Sequence, residues 1–467
     1  MKTLRKLAVL LTAFLIISIL LFSCTDKKYQ SAYILTNLSD NFSQHLSAHI
    51  NEIAEEYGYK INLINIEDKS AYHDSLLHSL KSSTSGPLLA FTDASLLKKL
   101  PKEKLITGIS SVFDENYLKE NLSGFSDYAV SPGIIYGKLF YYPFYTGTIL
   151  LFYNKSDVRD AVGGYKRFHD EIDSIFKLEN YVGLPAGYTL EFDPAEWDFF
   201  DIFVAGYYWS HNQESVNAHP SVAQPGGHCE SLIKNLLSKN YSLGAKDGRL
   251  LNIKYQSAKE LLRWESLYYK YHIYDRSSED SLKDGGAVAK MLINGKISLC
   301  CLDNIEFFNA VVDSLFDRAS CSAALVPCAM SADLTENGEA YRTGYRYSVL
   351  DGQWMAIPAN SPDKELSAYI LMELVSDSFQ EEITRLFGAY PVLSDLTEDF
   401  SDYIKDDRKA AILNAIKQQV KSGVFLMPDI DKSVTREFYN AYRIISFRKS
   451  VTDPIEITSE LFNLQRD

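Results

Sequence analysis

Histidines, cysteines and adjacent carboxylates are the side chains here that could do metal, redox or acid–base chemistry. His45 and His49, four residues apart, share one helix face as metal pairs do, but no third ligand lies nearby in the sequence. His211, His219, His228 and Cys229 fall in a polar stretch with Pro220, Pro225 and Gly226-Gly227, which reads as a loop that collects histidines. No cysteines show the paired Cys-x2-Cys spacing of a zinc site. Cys300 and Cys301 sit in the apolar run Ile297–Leu302, where a strand points them to opposite faces. They read as buried thiols, with Cys321–Cys328 as the one disulfide expected. Glu55-Glu56 and Glu381-Glu382 are neighbours on helices, so each pair diverges and cannot form the facing carboxylates of a glycosidase. No metal, no cofactor and no catalytic residue is expected.

The N-terminus sets the compartment. Lys2, Arg5 and Lys6 precede an apolar run from Leu7 to Phe22, and Ser23-Cys24 follows. A basic start, a short apolar core and a small residue before the break describe a secretory signal peptide over 1–23. The run is shorter than the roughly 20 residues of a spanning helix. Leu21-Phe22-Ser23-Cys24 resembles the lipobox of bacterial lipoproteins, which implies lipidation at Cys24 and a tether over 24–30. The expected location is the cell envelope, anchored to a membrane by acyl chains.

Size and charge narrow the function. At 467 residues the chain exceeds the roughly 250–300 at which a single core stops growing, so two lobes are expected. The formal charge is -14, and loss of the basic leader makes the remainder more acidic. With no basic stripe, nucleic acid is excluded as a partner.

The pattern of elements is α/β. Ala32–Leu35 reads as a strand. Asp40 can cap a helix with Phe42, Leu46, Ile50, Ile53 and Tyr57 on one stripe, stopped by Gly58. A strand over Lys60–Ile66, a helix over Ala71–Lys81 and a strand over Leu88–Phe91 follow, an order that argues for a parallel sheet. Further on, Pro194–Tyr208 and Ser257–Tyr271 are amphipathic. Ser361-Pro362-Asp363 starts a helix, Ser378-x-x-Glu381 is a capping box before a stop at Gly388, and helices over Asp407–Ser422 and Val434–Phe447 close the chain.

Three segments carry a resemblance to a known family. Gly137–Phe144 runs on into Leu150–Lys155 with its Tyr-Asn-Lys ending. Met291–Leu299 contains Asn-Gly-Lys. Asp351–Glu365 contains Gly-Gln-Trp-Met-Ala-Ile-Pro and a helix start. In this order they resemble the extracellular solute-binding proteins of ABC importers, specifically the maltose-binding-protein-like sugar-binding family. The resemblance implies an α/β, two-lobed, type II periplasmic-binding-protein fold with a hinge and an interlobe ligand cleft. It implies an N-terminal lobe over 31–146 plus 297–357 and a C-terminal lobe over 147–296 plus 358–467. The chain departs from the family at Cys300-Cys301, at Asp303-Asn304-Ile305 where a Gly-x-Trp region is common, and in the His211–Gly227 loop.

The same resemblance implies a monomeric, non-catalytic receptor that captures a sugar or oligosaccharide by hinge closure and delivers it to a membrane ABC permease. By position it assigns ligand contacts to Asn37, Asp93, Tyr145, Asp303, Asn304, Asp351 and Trp354. Tyr208 and Trp209, closing a helix before a loop, add an aromatic wall. The chemistry suits a sugar: Trp354 and Tyr145 can stack on its C–H face, while the acids and amides take its hydroxyls. The acids suit a cationic ligand such as a polyamine or thiamine as well. A surface lipoprotein without a transport role is the remaining alternative. Thiamine-cleaving enzymes of this architecture carry a cysteine near the first crossover, and Tyr145-Thr146-Gly147-Thr148 has none.

Overall fold

The computed structural model describes residues 29–82, 85–212, 222–225, 230–246, 249–274, 284–312, 321–426 and 432–447. The leader, Cys24 with the tether as far as residue 28, His219, His228 and Cys229 lie outside these residues, and the expected tether ends in the structure at Gln30, which already belongs to a strand. The chain divides into two compact units. The first holds 1–90, 105–107 and 357–372, and the second holds 91–104, 108–356 and 373–467.

In the first unit, strands Gln30–Thr36 and Tyr59–Asn65 pair in parallel from Gln30↔Tyr59 to Thr36↔Asn65, and Leu35 also pairs with Ala90. The helix between the two strands spans Asp40–Glu56. Its cap is Ser39, one residue before the predicted Asp40, and it buries Phe42, Leu46, Ile50 and Ala54. Ile53 is half-buried and Tyr57, just past the helix, is exposed; the buried stripe steps by four residues through Ala54. Gly58, with φ of 74°, reverses the chain as predicted. A helix over Lys69–Lys81 follows, capped by Asp68. Asn37, half-buried, follows the first strand.

The second unit is built on the strand Tyr142–Asn154, buried along nearly all its length. Ser348–Pro358 pairs with its first half antiparallel, as in Asp351↔Gly147 and Gln353↔Tyr145. Leu299–Asp303 pairs with its second half, as in Ile149↔Asp303 and Phe152↔Cys300. Cys321–Ala324 pairs with its last four residues. Such a buried strand reads as continuous apolar sequence rather than alternation. Helices Phe199–His211, Glu230–Ser242 and Gln256–Lys270 belong to this unit.

Three sequence expectations need correction. Cys321 and Cys328 are free thiols, their sulfurs 3.9 Å from the carbonyls of Leu292 and Ala329 respectively. Seven residues apart in sequence, they are held by different neighbours, so no disulfide forms. The predicted box at Ser378 lies inside a helix that begins at Asp377, with Ser376 as its cap. Pro194–Tyr208 is two elements, a short 3-10 turn and then a helix that starts at Phe199, because Asp198 and Asp201 form a capping box there. Cys300 and Cys301 do point to opposite sides, each into a different apolar cluster.

Candidate functional site

The register of the second unit gathers polar side chains on one sheet face. Tyr145, Gly147 and Ile149 share a face of the central strand because strand side chains alternate. Their cross-strand partners Gln353, Asp351 and Asp303 project to that same face. Gly147 lets Asn304 and Ile305 approach that face closely: a Cβ there would lie 2.9 Å from Asn304 Oδ1 and 2.8 Å from Ile305 Cδ1.

The helix Glu230–Ser242 lies against the central strands. Ser238 Oγ accepts from the Val349 N–H at 3.0 Å, and Ser242 Oγ donates to the Tyr347 carbonyl at 3.0 Å. Glu230 and Lys234 continue that stripe at four-residue spacing, so Lys234 is carried to the two aspartates. Its ammonium lies 3.1 Å from Glu230 Oε1 and 3.4 Å from Asp303 Oδ2, and it contacts Asp351 Oδ2 directly. Ser231, on the adjacent stripe, donates to Glu306 Oε1.

The charges in this cluster do not balance. One lysine faces four carboxylates, and the Asp303 side chain is 1% exposed. Burial raises the Asp303 carboxyl far above the carboxylate range; Lys234 works against this, while Asp351 and Glu306 add to it. Glu306 is raised by burial too, again with Lys234 opposing. Burial alone would lower Lys234, but Asp351, Glu230, Asp303 and Glu306 outweigh it and hold the ammonium firmly protonated. Burial raises the Tyr145 phenol, and the charges of Asp351, Asp303, Lys234 and Asp93 all act on it, which places these five groups in one neighbourhood. Asp93 is itself fixed by its own turn, Oδ1 accepting the Ser95 N–H at 2.8 Å.

Two polar atoms of the cluster have no hydrogen-bond partner among the described residues. Asn304 Oδ1 accepts from the Thr148 N–H at 2.7 Å, but its Nδ2 is buried and unpartnered. Glu306 Oε2 is likewise buried and unpartnered. Buried polar atoms are normally satisfied by protein, water or a ligand, so each is open to a further partner.

The structure thus brings together Asp93, Tyr145, Asp303, Asn304 and Asp351. Asn37 lies in the other unit. Trp354 is fully buried, its indole N–H donating to the Ala129 carbonyl at 3.1 Å, so it packs as a core ring. Tyr208 is bound to Asp160 at 3.0 Å and Trp209 to the Asp157 carbonyl at 3.0 Å, both inside the helical core. Sequence reasoning missed Lys234, Glu230 and Glu306. The available signal was the four-residue spacing Glu230, Lys234, Ser238, Ser242.

A family profile for bacterial extracellular solute-binding proteins matches residues 48–412. The chain belongs to that family. Its members act outside the cytoplasm, and among the described residues no helix is long and apolar enough to cross a membrane. The fold is similar to the GacH receptor of Streptomyces glaucescens, studied with acarbose, at a TM-score of 0.66 and 12% identity over 94% of this chain and 98% of that one. Maltose-bound MalE3 of T. maritima matches at 0.64 and 15% identity over 93% and 100%. The sugar-binding protein MalE of Xanthomonas citri matches at 0.62 and 14% identity over 93% and 96%. No curated protein matches by sequence. The resemblance carried by the three segments is borne out, and with it the α/β two-lobed fold class. The family and these neighbours are binding proteins.

Proposed function

We propose that this solute-binding protein is the lipid-anchored receptor of an ABC importer, capturing a sugar or oligosaccharide and handing it to a membrane permease. The observation that carries the ligand class is the set of buried acids and amides beside Tyr145, with Asn304 Nδ2 and Glu306 Oε2 unpartnered. Sugar hydroxyls both donate and accept, so one ligand can satisfy an amide N–H and a carboxylate oxygen together. The named ligands of the similar structures, maltose and acarbose among them, support the same class. The lipobox-like Leu21-Phe22-Ser23-Cys24 supports the anchor, which keeps the receptor beside its transporter. Asp93, Tyr145, Asp303, Asn304 and Asp351 are the contacts proposed, joined by Lys234, Glu230 and Glu306; Asn37 is assigned from the family position alone.

The test is thermal unfolding of the mature chain against a panel of mono- and oligosaccharides. A ligand at about 100 times its Kd adds about 2.7 kcal/mol, a shift of several degrees for a protein of this size. The shift is expected with a subset of the sugars, and its loss in Asn304→Ala places the ligand at the cluster. A shift that survives Asn304→Ala unchanged moves the site elsewhere, and a flat response to every sugar defeats the sugar reading.

A further inference from the structure

The charge count at the cluster says more than that it takes a sugar. Lys234 invites the reading that the site recruits an anionic ligand, since a buried lysine is a common anion receptor. Its geometry rules that out. An ammonium has three N–H donors, and Glu230, Asp303 and Asp351 take them. Lys234 is therefore an internal counter-ion with nothing left to offer a uronate or a phosphate.

What stays unmatched is negative. Glu306 Oε2 has no partner, although Ser231 holds the other oxygen of the same carboxylate. Asp93 stands in the same neighbourhood, acting on Tyr145 together with Asp303 and Asp351. Two charges a few ångströms apart interact by several kcal/mol at the effective dielectric of such a site. An arriving carboxylate or phosphate is repelled by the acids that stay ionised there, with the one lysine already spent. An arriving ammonium meets acceptors on several sides and the electron-rich ring of Tyr145.

We propose that the cluster selects its solute by charge, taking sugars that carry a basic nitrogen over neutral sugars and rejecting acidic ones. This rests on the sugar-capture reading above and names the kind of sugar. Recognition is shared. Asn304 Nδ2 donates to a ring or hydroxyl oxygen, and Glu306 and Asp351 face the ammonium. The raised carboxyls give a second signature. An ammonium lowers the cost of ionising Asp303 and Glu306, so its arrival drives protons off them; a neutral sugar leaves them in place.

The experiment is calorimetric titration of the mature chain with a charge series on one ring: glucosamine, glucose, N-acetylglucosamine and glucuronate, each also as a short oligomer. The amine is expected to bind at least ten-fold tighter than glucose, with N-acetylglucosamine close to glucose and glucuronate at least ten-fold weaker. Repeating the amine titration in two buffers of different ionisation enthalpy is expected to show proton release for the amine alone. Glu306→Gln is expected to collapse the amine preference while keeping the neutral sugar, and Asp351→Asn serves the same purpose if that variant folds poorly. Neutral sugars that bind as tightly as the amine overturn the charge selection and leave sugar capture intact. Glucuronate binding equal to glucose overturns it too. If no member of the series binds, capture of sugars falls and this inference falls with it.

Discussion

Two lysines five residues apart on one helix, Lys234 buried and Lys239 partly so, show how differently the same ion can be used. Lys239 meets a single carboxylate, Glu265, at 2.9 Å, and the Glu265 side chain is fully buried. The rest of that environment completes the pair: Tyr274 accepts from the lysine at 3.1 Å, Gln224 donates to the other Glu265 oxygen, and Asn235 donates to the Gln224 carbonyl at 3.3 Å. Positive and negative are matched and the hydrogen bonds close on themselves. At Lys234 the acids outnumber the cation and two buried atoms go unsatisfied. A closed network specifies a core, whereas an open one costs stability unless something completes it. On this contrast Lys239 serves the fold, and Lys234 marks where the ligand is proposed to bind.

The largest effect falls on the closed pair. Lys239→Met leaves Glu265 buried without its cation, and breaking a buried pair from one side costs about 3–5 kcal/mol. Chemical denaturation is the measurement, with an unchanged slope to show that the loss is in stability. A loss below about 1 kcal/mol would mean that Glu265 escapes to water and that the two lysines are not distinct in kind.

A smaller effect separates burial from charge excess. Asp198 and Asp201 are buried acids at the start of the helix Phe199–His211. Burial pushes Asp201 up to about 8, with the Asp198 charge adding to the rise, and pushes Asp198 up to about 6, backbone N–H bonds opposing. Both folded values exceed the unfolded ones, so their contribution is complete below the ordinary carboxylate range and is lost as pH rises through about 6 to 8. Unfolding between pH 5 and 9 is expected to show stability falling by at most about 1.4 kcal/mol per pH unit for each proton released. Asp201→Asn is expected to flatten that slope. A slope unchanged in the variant assigns the pH dependence to the Lys234 acids instead.

The sequence carried the fold further than the site. The strand–helix–strand start, the Gly388 helix end, the helix Asp407–Ser422 and the three family segments are local signals, and each sits in the structure close to where it was read. The acids Asp303 and Asp351 were legible because they end or interrupt apolar strands. Lys234 was not, since an i to i+4 Glu–Lys pair on a helix is the ordinary mark of a solvated face. Only the serines that bind the helix to the strand turn that face inward. Of the aromatic assignments only Tyr145 joins the cluster, for a related reason. A tryptophan near a strand crossing and an aromatic pair at a helix end look alike in sequence whether they line a site or fill a core, and here Trp354, Tyr208 and Trp209 spend their polar atoms on protein partners. The departure from the family at Asp303-Asn304, by contrast, falls within the cluster.

The finest test of the contrast between the lysines is Asp303→Asn against Glu265→Gln. Asp303 Oδ1 accepts from the Ile305 N–H at 2.8 Å, and an amide oxygen keeps that bond. Burial has already driven the Asp303 carboxyl toward its neutral form, with Asp351 adding to the rise. The amide therefore resembles the protonated state, donating toward Asp351, and gives up the long 3.4 Å contact that Oδ2 makes with Lys234. The expected change is within about 1 kcal/mol of zero, a melting shift of about 1 °C for a chain of this length. Glu265→Gln removes the single counter-charge of Lys239, and the loss expected is several-fold larger, as for any buried pair broken from one side. Equal losses in the two variants would show that Lys234 depends on Asp303 as Lys239 depends on Glu265. The acids of the cluster would then be a closed structural network, and the argument for a ligand there would lose its basis.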